Sequence, residues 1–255
     1  MKTTQVRWTQ LLIDAVNIPG SMLEAYRAFH NYSVGNQILA FTQCHKRGIP
    51  VGPIATFQGW KKKGRHVSKG SKAIELCMPV TFKTKPENAD EPERVRQVFL
   101  FRRNWFVLSQ TEGDELEAPT IPGWDRETAL KALKVEVVPF DATDGNMQGY
   151  AFGHSVAINP VAQIPEKTTF HELAHVVLGH TENGAMNDGA TLVRSLKEAE
   201  AESVALLCLE SLDLPGADYC RGYIQNWLRG AEIPEQSARR IFKAADTILK
   251  AGRDL

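Results

Sequence analysis

The sequence predicts an α+β chain in two domains, an N-terminal α+β domain followed by a mainly helical one. Three observations lead there. Charge divides sharply: residues 1–110 hold 17 Lys+Arg against 7 Asp+Glu, a net of +10, and residues 111–255 hold 13 against 23, a net of −10. Residues 48–110 alternate glycine punctuation with β-branched and aromatic stretches, as strands do. Beyond about residue 160, apolar residues recur at helical spacing. A chain of 255 residues that is 43% hydrophobic has enough apolar side chain for two modest cores.

In chain order, residues 5–17 read as a helix with Trp8, Leu11, Leu12, Ala15 and Val16 on one face, closed by Pro19-Gly20. Helices over 21–30 and 35–47 follow, the latter stopped by Gly48. Ala73–Phe82 and Val95–Ser109 read as strands, joined by a polar connection, 83–94, that contains two prolines. The acidic, Pro/Gly-bearing stretch 111–123 marks the boundary, giving domains 1–115 and 124–255. The second domain opens with a helix over 126–134, a strand-like Val135–Phe140 and a strand over 150–158. Helices at about 166–178, 190–212, 218–229 and 235–251 complete it.

No apolar run approaches the ~20 residues that cross a bilayer, so no membrane partner is expected. The N-terminus lacks a long apolar segment and a small-residue cleavage site, and reads as folded chain. Cys44, Cys77, Cys208 and Cys220 form no CxxC. That pattern suits a reducing, cytoplasmic setting with the thiols as core residues, and argues against a cysteine zinc site.

His171-Glu172-Leu173-Ala174-His175 carries the chemistry. Residues four apart share a helix face, so His171 and His175 can aim ring nitrogens at one Zn²⁺. Glu172, turned about 100° from His171, stands beside such an ion, placed to take a proton from a water whose pKa zinc lowers to about 7. Gly179 is positioned to cap the helix. A catalytic zinc site takes a third protein ligand. His180 lies five residues past His175, off that face, where the helix ends. The following helix offers Glu198, Glu200 and Glu202. On its wheel Ala205, Cys208, Leu209 and Leu212 mark the buried side; Glu198 and Glu202 fall at its edge, and Glu200 falls with Ser203, Glu210 and Ser211 on the polar side. The ligand is therefore expected to be Glu198 or Glu202, with Glu200 a solvated charge.

HExxH followed by a glutamate helix resembles the gluzincin metallopeptidases, including the ImmA/IrrE-type peptidases. The resemblance implies Glu198 as third ligand and Glu202 as the carboxylate behind a metal-binding histidine, with Glu172 as general base and acid. Glu202 stands where Asp or Asn is usual in that group.

The densest basic run is Phe57–Lys72, in which Lys61, Lys62, Lys63, Arg65, Lys69 and Lys72 fall within twelve residues beside Trp60. Cations follow a phosphate backbone and an aromatic face stacks an unpaired base, so single-stranded DNA is the expected partner, bound with little sequence preference. Asn31–Ala40, Arg47-Gly48-Ile49, Gly52–Phe57, Gly59-Trp60, Lys69–Ile74 and Phe106–Gly113 resemble the N-terminal domain of ArdC-type antirestriction proteins. With the HELAH segment downstream, the resemblance spans nearly the whole chain. It implies a single-stranded-DNA-binding domain joined to a zinc metallopeptidase-like domain, in proteins of mobile elements that shield incoming DNA from restriction. Two further readings stand beside it: a regulatory zinc protease that cuts a repressor as its protein substrate, and a DNA-binding protein whose zinc holds the fold.

Overall fold

The structure, a computed structural model, describes residues 6–84, 94–117, 120–142, 146–182 and 194–253. It is α+β, as expected, and its packing divides into two units, 1–38 with 120–255, and 39–119.

The smaller unit is built on an antiparallel sheet of order β1-β4-β3, from β1 (Ile54–Thr56), β3 (Ile74–Thr84) and β4 (Arg94–Val107). A second pair joins β2 (Arg65–Val67) to β5 (Thr111–Gly113). The short helix α4 (Phe57–Lys62) starts at Thr56, whose hydroxyl accepts from Gly59 N at 3.1 Å, an N-cap. Ile54, Trp60, Ile74, Leu76, Trp105 and Val107 form the core. The C-terminal part of α3 (Val34–Arg47) is pinned to β3 by a reciprocal pair: Gln43 Nε2 donates to Glu75 O and Gln43 Oε1 accepts from Glu75 N. The two long strands occupy the predicted stretches; β1, β2 and β5, three residues each, are too short to show alternation.

The larger unit contains α1 (Trp8–Asn17), α2 (Ser21–Phe29), α5 (Arg126–Leu133), α6 (Pro165–Val177), α7 (Arg194–Ser211), α8 (Ala217–Leu228) and α9 (Glu235–Ala251). Its sheet, of order β6-β8-β7, is made by β6 (Glu136–Val137), β7 (Gly149–Phe152) and β8 (Ser155–Ile158). The single strand expected over 150–158 is a hairpin, turned at Gly153-His154, with Gly153 at φ 52°. Helix α7 packs against α2, α6, α8 and α9, and every residue from Ala199 to Ser211 is buried.

Residues 1–115 form one domain in the sequence reading, whereas helices α1 and α2 pack with the C-terminal helices. The tie is polar as well as apolar. Glu235 at the start of α9 accepts from Trp8 N (2.9 Å) and Thr9 N (3.0 Å), and Asp246 accepts from Val34 N (3.2 Å). Acids of α9 thus satisfy amides that open α1 and α3. No helix among the described residues is long and apolar enough to cross a membrane.

Candidate metal centre

Helix α6 begins with Pro165, whose fixed φ suits a first turn. It buries Phe170, Leu173, Ala174 and Val176, which fixes its rotation and turns His171 and His175 toward α7. Their Nε2 atoms stand 3.1 Å apart. Glu198 brings Oε2 to 3.3 Å from His171 Nε2 and 3.7 Å from His175 Nε2. A tetrahedral zinc with bonds of about 2.0–2.1 Å has ligand–ligand edges of roughly 3.3–3.4 Å. The three separations straddle that value. Two imidazole nitrogens facing each other share at most one proton between them, whereas a cation at their common focus satisfies both and the carboxylate. The residues therefore fit a divalent ion.

Glu202, one turn beyond Glu198, lies behind His171 rather than in this cluster. Its Oε1 is 3.4 Å from His171 Nδ1 and accepts from Lys167 Nζ at 2.8 Å. Glu200 is not the solvated charge the helical wheel suggested. It is 0% exposed, because the side of α7 that looks polar in sequence is covered by its neighbours. His180 Nε2 stands 2.8 Å from its Oε2, and Arg240 NH2 is 3.9 Å away. His180 itself, expected off the metal face, folds back to place Nδ1 at 3.0 Å from His175 Nδ1.

The charges follow from these neighbours. Burial alone depresses His171, but the carboxylates of Glu198 and Glu202 beside its two nitrogens outweigh it, and with no cation the ring is pushed up to about 9. Glu198 is held well below the usual carboxylate range by His171 and His175. Burial opposes the ionisation of Glu202, yet His171 and Lys167 bring it down to about 2. Burial pushes Glu172 up against the pull of His171 and His175, and pushes His180 down despite Glu200.

A cleft of about 480 Å³ opens beside His171 and Glu172, between β7 and α8, with Tyr219 and Tyr223 on its α8 side. Strand β7 presses close on α6 here. A Cβ on Gly149 would come within 2.6 Å of Thr168 Cγ2, 2.9 Å of Ala157 O and 3.2 Å of Glu172 Cγ.

In the smaller unit, Lys61, Lys62, Lys63, Lys69 and Lys72 are exposed. Two residues of the basic run are otherwise engaged. Trp60 is only 1% exposed and donates from Nε1 to Phe106 O at 2.8 Å, so its face is core and cannot stack a base. Arg65 donates from Nε to Thr111 Oγ1 (2.8 Å) and from its other nitrogens to the carbonyls of Thr111, Gly113 and Asp114, clamping β2 to β5. Phe57 (49% exposed), Phe82 (48%) and Phe99 (67%) face solvent, with Arg102 and Arg103 exposed on β4 close in sequence to Phe99.

Residues 3–111 match the family model described as the N-terminal domain of anti-restriction factor ArdC. Over that stretch the chain is similar to ArdC. The crystal structure of the antirestriction ArdC protein from plasmid R388, metal-free, aligns over 96% of this chain and 94% of that one, at 20% identity and a TM-score of 0.58. The Mn(II)-bound structure from R388 aligns over 96% and 97%, at 17% identity and 0.52. Both likenesses concern the fold. None of the curated proteins matches this chain.

Several residues around the centre carry roles that the sequence alone did not assign. Lys167, four residues before His171, was legible by helical spacing alone. His180 was legible from the glycine that caps α6. Tyr219 and Tyr223 carried no signal, because nothing in the sequence ties α8 to the cleft.

Proposed function

We propose that the chain is an antirestriction-type protein that binds single-stranded DNA through its basic unit and holds Zn²⁺ in a metallopeptidase-like centre in the other. The observation that carries this reading is the convergence of His171 Nε2, His175 Nε2 and Glu198 Oε2 on one point. An ArdC structure of the same fold is Mn(II)-bound, which supports a divalent ion in this chain.

His171, His175 and Glu198 hold the ion, and the Glu202 carboxylate, 3.4 Å from His171 Nδ1, favours the tautomer protonated there, leaving Nε2 free to coordinate. The ion supplies Lewis acidity, lowering the pKa of water and polarising a carbonyl. Glu172 faces the same cleft with a carboxyl raised by burial, the tuning a general base needs: strong enough to take a proton, and able to return it to a leaving amine. The cleft beside it leaves room for a peptide segment of a protein substrate at the centre.

In the basic unit, Lys61, Lys62, Lys63, Lys69 and Lys72 track the phosphate backbone. Phe57 and Phe99 replace Trp60 as stacking surfaces. Phe99 and Phe101 project from one side of β4 at the ~6.8 Å repeat of alternate strand residues, a spacing compatible with successive bases of an extended strand.

Two measurements test the two halves. Elemental analysis is expected to find zinc in the wild type and in Glu172→Gln, and less or none in Glu198→Ala. Fluorescence anisotropy with a labelled oligonucleotide is expected to show weaker binding when Lys61, Lys62 and Lys63 become Ala. The slope of log K against log salt should then become shallower by about 2, at roughly 0.7 for each phosphate that is no longer neutralised. Unchanged affinity removes that patch from the interface. If protection of incoming DNA survives Glu172→Gln, proteolysis is not how it works.

A further inference from the structure

Helix α6 ends in a Schellman motif. Gly179 adopts φ 72°, its N–H bonds Val176 O at 3.0 Å, and the N–H of His180 bonds His175 O at 2.9 Å. In such a cap the residue after the glycine commonly lays an apolar side chain against the residue five positions earlier. Here those two residues are His180 and His175, and they meet through a hydrogen bond between their Nδ1 atoms at 3.0 Å. His180 continues to Glu200 Oε2 at 2.8 Å. From α9, Arg240 fastens the turn by donating to Leu178 O at 2.7 Å, with Glu200 Oε2 3.9 Å from the same nitrogen. Ser237 also bonds Glu200.

This series of hydrogen bonds permits one proton arrangement when His175 Nε2 coordinates a metal, as the proposed centre requires. His175 must then carry its proton on Nδ1. His180 Nδ1 must be bare to accept it, so His180 carries its proton on Nε2. That proton points at Glu200 Oε2, which accepts it. A carboxylate buried to 0% exposure inside a helical core is costly without such a partner. No alternative arrangement of these protons satisfies all four atoms.

We propose that His180 and Glu200 are positioning residues for the metal centre, a carboxylate–histidine relay that sets the tautomer and orientation of the ligand His175. The relay rests on the metal reading of His171, His175 and Glu198. It mirrors the shorter link from Glu202 to His171, so each metal-binding ring is backed by a carboxylate, one directly and one through a second imidazole. Its role is geometric, since neither His180 nor Glu200 reaches the cluster of ligand atoms.

The test uses the full-length protein loaded with zinc. Long-range ¹⁵N–¹H NMR of the histidine rings is expected to show His180 in the neutral tautomer with Nε2 protonated and Nδ1 bare, and His175 with Nδ1 protonated. His180 protonated on Nδ1, or on both nitrogens, would overturn the proposal without any variant being made. Zinc affinity, measured by chelator competition, is expected to fall 10–100-fold in His180→Phe and Glu200→Ala. Glu200→Gln retains an acceptor oxygen and is expected to recover part of that loss. Affinities within twofold of wild type in all three variants would sink the relay while leaving the metal centre standing. A wild type that takes up no zinc would overturn the metal reading itself, and the relay with it.

Discussion

Raising the pH from 6.5 to 9 is expected to tighten zinc binding about tenfold per unit, with the break set by His171. Without a cation this imidazole is lifted to about 9 by Glu198 and Glu202, so at neutral pH it holds a proton that zinc must displace. At pH 7 the displacement spans two units and weakens affinity by roughly 100-fold. Glu198 and Glu202 are already ionised, and burial keeps His180 neutral. The same proton acts in the opposite sense on folding of the zinc-free chain. A pKa raised by folding stabilises fully below 6.5 and stops doing so as pH climbs through about 9, a loss of about 3 kcal/mol for a ring this buried. Chelator competition at half-unit steps, corrected for the chelator's own protonation, measures the first effect; thermal unfolding in excess chelator measures the second. An affinity flat above pH 6.5, or zinc-free stability that rises toward pH 9, would refute the pairing of His171 with both carboxylates.

Other perturbations follow from the packing. Trp60→Ala is expected to lower the stability of the basic unit by roughly 3–5 kcal/mol in denaturant unfolding, because it empties a core site; a folded variant of native stability would return Trp60 to the surface. Phe57→Ala is expected to leave stability within about 1 kcal/mol while weakening oligonucleotide binding by a comparable amount per unstacked base, read by anisotropy. Gly149→Ala is expected to destabilise by about 1–3 kcal/mol, since the added methyl meets Thr168 Cγ2 at 2.6 Å and Ala157 O at 2.9 Å. An unchanged melting temperature there would mean that β7 does not press on α6.

The sequence carried the helices of the larger unit and both long strands, because each is long enough for its period to emerge: α6 and α9 begin within one residue of the predicted positions. It also carried the HELAH pair, a purely local relation along one helix. It left Glu198 and Glu202 as alternatives, and the choice between them depends on how far along α7 the axis of α6 crosses. The reading of Glu200 failed for a related reason. A helical wheel separates apolar from polar residues, whereas α7 is surrounded, and its polar side meets His180, Arg240 and Arg221 instead of water. Trp60 failed in the opposite direction: lysines close by suggested a solvent-facing ring, yet a six-residue helix exposes the lysines and buries the indole. His180 was recoverable, because the Schellman rule pairs it with His175 as soon as Gly179 is taken as the cap.

X-ray absorption at the zinc edge of the loaded protein, wild type beside Glu198→Ala, bears most directly on whether three side chains share one ion. The expected wild-type spectrum fits two imidazole nitrogens at about 2.0–2.1 Å and oxygen at about 2.0–2.2 Å, with one oxygen scatterer altered or the metal lost in the variant. A spectrum with fewer than two imidazoles, or one identical in the variant, would contradict it.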